Sequence, residues 1–326
     1  MMNFVFPGFI LAAFAAILWG TAGTAQTFIT SPSLSPLWVG ALRLVCACLF
    51  FYPMLAISQR QLQPSNASAK GEDHYLLKVI AAGCCMAMFN LLFFSGVKIA
   101  GVALGSCTII ASAPVCAGIL EASAFISCRA RSSISPKRGA MRWEAVIKRK
   151  APDSLWLTGV AVAIAGGIWM AVSQAENIEV SAFGLGICLT AGFFYSSYSL
   201  LAKELVRITT PLRASTHSFT VAAVIALLAA WIFSQTPEIV FQDILIVFYL
   251  GVVVTGFAYL LYGTALKTTR VSTCVALGLL EPVTAFVLAI VVVGENVNPW
   301  ATLGLLAILA GLALVLRSEQ KQNTAS

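Results

Sequence analysis

Charge is scarce in this 326-residue chain: Lys, Arg, Asp and Glu together make up 10% of it, against roughly 25% in soluble globular proteins. That scarcity excludes a soluble domain. Histidine is nearly absent, with only His74 and His217, and none of the nine cysteines forms a CxxC pair. A Cys/His zinc site is therefore not expected, and no metal or cofactor is assigned. Cys46, Cys48, Cys84, Cys85, Cys107, Cys116, Cys188 and Cys274 sit inside apolar runs, with Cys128 at the end of one; they read as small buried hydrophobes. No Walker phosphate-binding loop occurs, so ATP hydrolysis by the chain itself is not expected. The N-terminus has neither a Lys/Arg-rich stretch nor a convincing small-residue cleavage site, and its first apolar run is expected to stay as a helix.

What the chain has in abundance is apolar sequence: 59% of its residues are hydrophobic and its mean hydropathy is +0.90. About 20 apolar residues cross a bilayer core as a helix. Ten runs meet that length, near 7–28, 36–57, 76–97, 103–126, 155–174, 181–202, 213–234, 244–265, 271–293 and 299–316. They lack the alternating pattern of membrane barrel strands, and a lone helix satisfies its backbone in lipid. The fold predicted is all-α and polytopic, with ten transmembrane helices.

Basic residues test this topology independently. Lys and Arg outnumber Asp and Glu by 20 to 13, giving a pI near 9.0; in a soluble chain that balance would suggest nucleic acid. Here the positions matter more. With the N-terminus cytoplasmic, 18 of the 20 basic residues fall in inner connections or the C-terminal tail, eight of them in the connection 128–154. Only Lys98 falls in an outer connection, and Arg43 lies within a helix; the outer side carries Glu176, Glu179, Glu238, Asp243 and Glu295. Positive-inside sorting thus predicts a multi-pass protein with both termini cytoplasmic, the membrane of a bacterial cell being the inner one. The excess charge reads as orientation, not as nucleic-acid binding.

Internal matches divide the ten helices. Shifting residues 89–117 by 168 aligns Phe89 with Phe257, Leu92 with Leu260, Pro114 with Pro282 and Val115 with Val283. A shift of 176 pairs Gly8 with Gly184, Ala15 with Ala191 and Trp19 with Tyr195; Gly159 pairs with Gly304, and Ala165-Gly166 with Ala310-Gly311. The matches keep one order in both halves, which predicts a five-helix repeat at 1–178 and a second at 179–326. Five being odd, the second repeat enters from the opposite face, an inverted construction common in secondary transporters.

Leu18-Trp19-Gly20-Thr21, Leu42-Arg43-Leu44 and Ala113-Pro114-Val115 in the first half, with Thr255-Gly256-Phe257-Ala258-Tyr259, Leu280-Glu281-Pro282-Val283 and Gly294-Glu295 in the second, resemble the ten-helix EamA-type branch of the drug/metabolite transporter superfamily. The resemblance spans nearly the whole chain, and the Leu-Glu-Pro-Val run followed by Gly-Glu is its most specific part. It implies export or import of small metabolites, often amino acids, through a central cavity between the repeats. Two features depart from the pattern. Ala113 and Ser127 occupy the positions matching Glu281 and Glu295, and the connection 128–154 is long and basic.

Ionisable groups inside a bilayer cost about 3 kcal/mol each on insertion scales and so need a reason. Arg43, Glu121 and Glu281 qualify as charge or coupling candidates. Glu281 precedes Pro282, whose missing N–H disrupts the ladder; a carboxylate there suits a substrate ammonium or a coupled proton, or else fixes the fold through freed backbone. Glu121 lies two turns beyond Pro114, on the same helix face, and is a second proton candidate unless it only reaches the inner mouth. Arg43, about 10 Å inside its helix, suits a substrate carboxylate, with a structural partner as the alternative. Pro114 and Pro282 mark expected helix breaks or hinges.

Trp19, Thr21 and Thr24, Asn90, Tyr195 and Tyr198, and Tyr259 and Tyr262 are the expected cavity lining; each tyrosine pair is spaced i, i+3 on one face. Rings for an apolar portion and hydroxyls for polar groups suit an amphipathic solute, with ordinary interhelical packing as the alternative for each residue. Gly101 and Gly105, and the Gly166 and Gly311 motifs, read as close helix packing. A short amphipathic segment at Met141–Ile147 would rest on anionic lipid. Asn66-Ala67-Ser68 matches a glycosylation sequon but falls on the inner side. The chain is therefore expected to be a secondary-active or facilitative transporter of small metabolites, an exporter of amino acids or similar metabolites working by alternating access, and its expected partners are a small-molecule solute, the bilayer and a coupling proton. A monomer suffices, since one chain holds both repeats. The alternatives are a lipid-modifying membrane enzyme, for which no histidine or clustered acid lies near mid-membrane, and a membrane sensor or scaffold.

Overall fold

The computed structural model describes residues 7–31, 34–61, 72–100, 102–134, 153–173, 181–237, 240–294 and 299–324. Gly101, Asn66, Glu295 and the Met141–Ile147 segment lie outside them. All regular structure among the described residues is helical, and ten helices are long and apolar enough to cross a membrane. In chain order these are α1 (Gly8–Gln26), α2 (Pro36–Gln61), α3 (Glu72–Ala100), α4 (Val102–Ile134), α5 (Ser154–Ser173), α6 (Ala182–Ile208) and α7 (Pro211–Phe233). The last three are α8 (Phe241–Ala265), α9 (Val271–Val293) and α10 (Pro299–Thr324).

The apolar runs located each span but not its ends. Helices α3, α4 and α10 continue several residues past their apolar stretches, because a helix stops at a cap or a breaker, not where hydropathy falls. Thr210 and Ser181 accept the first free N–H groups of α7 and α6, from Arg213 at 3.2 Å and Gly184 at 3.2 Å. Asp153 does the same for α5, from Trp156 at 2.9 Å. Pro36, Pro211 and Pro299 open α2, α7 and α10, where a missing N–H costs nothing. Gly294 ends α9 with φ of 82°, a left-handed conformation that only glycine adopts without strain.

Two spans are not uniform α-helices. In α8 a π-helical stretch, Leu250–Phe257, separates α-helical ends, and the Thr255 hydroxyl donates to Leu250 O five residues back at 2.8 Å. In α9 the α-helical start Val271–Ala276 passes through a 3-10 turn, Leu277–Leu279, and the span ends in a π turn, Ala289–Val293. Pro282 has no N–H to return to Gly278, so the α ladder cannot close across that turn. At Pro114, by contrast, α4 continues as helix on both sides. The interruption in α9 lies in the turn just before Pro282, which itself stands inside the α-helical stretch Leu280–Leu288.

Packing sorts the spans into pairs: α5 with α10, α3 with α6 and α7, α2 with α7 and α8, α1 with α8 and α9, and α4 with α6 and α9. Small residues make these approaches close. A Cβ on Gly159 would lie 2.7 Å from Gly311 O, and one on Gly166 2.7 Å from Gly304 O, so α5 and α10 touch backbone to backbone. At the end of the bundle opposite the termini, Asp243 accepts from Thr30 N at 2.9 Å, Thr30 Oγ1 at 3.2 Å and Ser31 N at 3.1 Å, tying the α1–α2 connection to α8. Trp169 and Trp300, both exposed, pair there on α5 and α10 through a 3.0 Å bond from Trp169 Nε1 to Trp300 O. Such amphipathic rings suit the headgroup level.

Candidate functional site

A cavity of about 810 Å³ lies within the bundle, with walls from α1, α2, α3, α4, α5, α6, α8 and α9. Gln26, Thr27, Pro36 and Lys98 rim it at the end opposite the termini, and the lining residues farthest from that rim include Trp19, Tyr195, Tyr259 and Val275. It therefore opens to one end and is closed towards the other. The floor is aromatic. The Trp19 ring lies 4.9 Å from Tyr259, 5.3 Å from Tyr262 and 6.3 Å from Tyr195, centroid to centroid, in tilted and edge-on arrangements.

The charged candidates part company. Arg43 and Glu281 both line the cavity and feel each other's charge without a direct ion pair. Arg43 Nη2 donates to Asn90 Oδ1 at 3.3 Å, its guanidinium carbon lies 5.9 Å from the Phe94 ring centroid, and its Nε is buried without a partner. Asn90 is itself buried and donates to Gly40 O at 3.2 Å, so it orients the guanidinium from behind. Glu281 accepts no hydrogen bond from any described residue, which leaves its carboxylate facing the cavity. Glu121 lies elsewhere: it accepts from Val271 N at 3.0 Å and Ser272 N at 3.2 Å, capping the start of α9.

Of the aromatic and polar candidates, Trp19, Tyr195 and Tyr259 line the cavity, together with Pro282. Thr21, two residues past Trp19, points to another helix face and pairs with the Tyr249 hydroxyl at 2.8 Å. Thr24 is off the lining, its carbonyl accepting from Thr27 Oγ1 at 2.8 Å. Tyr262 lies beneath the floor, its hydroxyl donating to Ser199 at 2.9 Å, and Tyr198 is buried against Phe219 and Tyr259. Pro114 is off the lining while its neighbour Ala113 is on it. Tyr spacing of i, i+3 put each pair on one face, but only one ring of each reaches the cavity because the other is a turn deeper.

Sequence reasoning missed Phe89, Phe93 and Phe94 of α3, Phe286 of α9, and Lys98 at the mouth. Phe89 and Phe93 are spaced i, i+4, a signal that was available; Phe89 stacks 5.1 Å from Tyr195. The lining is thus largely apolar, with Arg43 and Glu281 set into it and Lys98 at its mouth. That arrangement can hold a solute with an apolar body and polar groups of opposite charge.

The sequence pattern of the EamA-like transporter family matches residues 6–125 and 182–317. YwfM of Bacillus subtilis (strain 168), named as an uncharacterized transporter, is 30% identical over 325 residues, covering 100% of this chain and 98% of its own. A transporter of Clostridium kluyveri, also named as uncharacterized, is 30% identical over 153 residues, 45% of this chain and 49% of its own. One solved crystal structure shares the fold with a TM-score of 0.71 at 17% identity, covering 95% of this chain and 97% of its own. The helical bundle, its ten spans and the sequence likeness along both halves agree, and the chain belongs to the EamA-like transporter family of the drug/metabolite transporter superfamily.

Proposed function

We propose that this membrane transporter carries small amphipathic metabolites, amino acids foremost, by alternating access around the cavity, as an exporter in the inner membrane of a bacterial cell. The observation that carries the solute class is the presence of Arg43 and an unengaged Glu281 in one aromatic cavity. A dipolar solute would set its carboxylate on Arg43 and its ammonium on Glu281, with its side chain against Trp19, Phe89 and Tyr195. Glu281 is also the candidate for carrying a coupled proton. Glu121 is the weaker of the two, its oxygens being engaged by α9.

Two five-helix units, 1–178 and 179–326, are the bodies that would rock. Exchanging each helix with the one five places on turns the α3–α6 contact into α8–α1, α4–α6 into α9–α1, and α3–α7 into α8–α2, all of which occur. The glycine contacts behave likewise, Gly159–Gly311 becoming Gly304–Gly166. Both support an inverted repeat, and a single chain then supplies the whole pathway. The basic connections support cytoplasmic termini, which would make the open mouth the outer one.

The test is counterflow of radiolabelled amino acids in proteoliposomes. Arg43→Gln and Glu281→Gln are each expected to lower uptake at least tenfold, and uptake by neither wild type nor variant above empty vesicles would sink the amino-acid reading. If Glu281 carries the coupled proton, Glu281→Gln abolishes the pH dependence of transport between about pH 6 and 8. A pH profile identical to that of the wild type removes it from that role.

A further inference from the structure

We infer that Glu121 is the latch of a hinged gate formed by the first turns of α9, which closes the pathway on the side of the termini. The inference rests on the alternating-access reading, since a cavity open at one end has to open at the other.

Residues 269–276 are held by side chains from four different helices. Glu121 of α4 caps the N–H groups of Val271 and Ser272. Lys203 of α6 donates to Thr269 O at 2.9 Å. Thr273 donates to Glu319 of α10 at 3.0 Å and accepts from Trp156 Nε1 of α5 at 3.3 Å. Every residue from Val271 to Leu279 is buried, and Val275 and Gly278 reach the cavity wall. The segment is thus shut in by polar contacts, which water can replace when it opens, as well as by the core packing of Val271, Val275, Leu277 and Leu279.

The joint lies where the segment ends. The 3-10 turn Leu277–Leu279 interrupts the α ladder, Pro282 leaves it unclosed, and Gly278 faces open space, with no atom within 4 Å of where a Cβ would stand. The closed arrangement also has a defect: the Ser272 hydroxyl is buried without a partner. Buried orphans of this kind call for an explanation, and a second position in which Ser272 meets water supplies one. Glu121 is the latch among the four pins because its carboxylate holds two backbone groups at once.

Cys274 is a native reporter, buried inside the gate, and Cys188, equally buried between α3, α4 and α6, is its control. The full-length protein in lipid nanodiscs, without solute, is treated with N-ethylmaleimide and modification is read at each cysteine by mass spectrometry. Glu121→Gln is expected to raise the Cys274 rate about fivefold and Glu121→Ala about tenfold, with Cys188 unchanged. Thr273→Val, which removes a different pin, is expected to act in the same direction and serves if Glu121→Ala does not fold. An unchanged Cys274 rate in the Glu121 variants, or a rise at Cys188 of equal size, overturns the latch. Because no solute is involved, a Cys274 response in a protein that shows no flux would remove the transport reading and leave the latch standing.

Discussion

Asn90 shows how a polar residue serves a site it does not enter. Buried behind α2, it spends one side of its amide on Gly40 O and offers the other to Arg43, so the guanidinium meets the cavity in one orientation. Hydrogen bonds to charged groups contribute about 1.5–3 kcal/mol. Asn90→Ala is therefore expected to weaken solute binding about tenfold while leaving the fold intact, measured as affinity by calorimetry beside the thermal unfolding curve. A fall in unfolding temperature with unchanged affinity would make Asn90 a packing residue instead. Sequence alone singled out Arg43, Asn90 and Glu281, because polar groups stand out in apolar runs. It did not separate Glu281 from Glu121: whether a carboxylate faces a cavity or caps a helix depends on a neighbour 150 positions away, which no local pattern contains.

Helices carry the next level of constraint. The contact between α5 and α10 leaves no room for side chains at its crossing, where Gly159, Gly166, Gly304 and Gly311 meet opposing backbone. Overpacking of this kind costs about 1–3 kcal/mol. Gly166→Val is expected to lower the unfolding temperature clearly, whereas Gly186→Val, at a glycine with nothing within 4 Å of its Cβ position, is expected to change it little; equal effects would contradict backbone-level packing. All ten spans were legible as apolar runs because lipid imposes length and composition on any helix that crosses it. The π stretch of α8 was not. Pro282 marks the irregular region of α9, but Leu250–Phe257 contains no proline; there Gly251 and Gly256 seat closely against Cys46 and Phe50 of α2.

For the molecule as a whole, orientation is read from its lysines and occupancy from its cavity. Lys98 rims the cavity, while Lys267 is exposed at the end of the bundle that holds the termini. A membrane-impermeant amine reagent applied to intact cells is expected to modify Lys98 and spare Lys267 until the cells are permeabilised; the reverse pattern would invert the topology and turn the open mouth inward. The cavity itself has a further consequence, in terms of water. At about 30 Å³ per molecule in the liquid, 810 Å³ corresponds to on the order of 25 waters. Most of them face rings and aliphatic side chains, which return little to a water for the hydrogen bonds it gives up. A bound solute evicts part of that load, so hydration works in favour of bulk: along a series of solutes with the same polar head, affinity should climb with each added methylene until the volume is filled. Past that point it should fall abruptly, because the aromatic floor leaves the chain nowhere further to go.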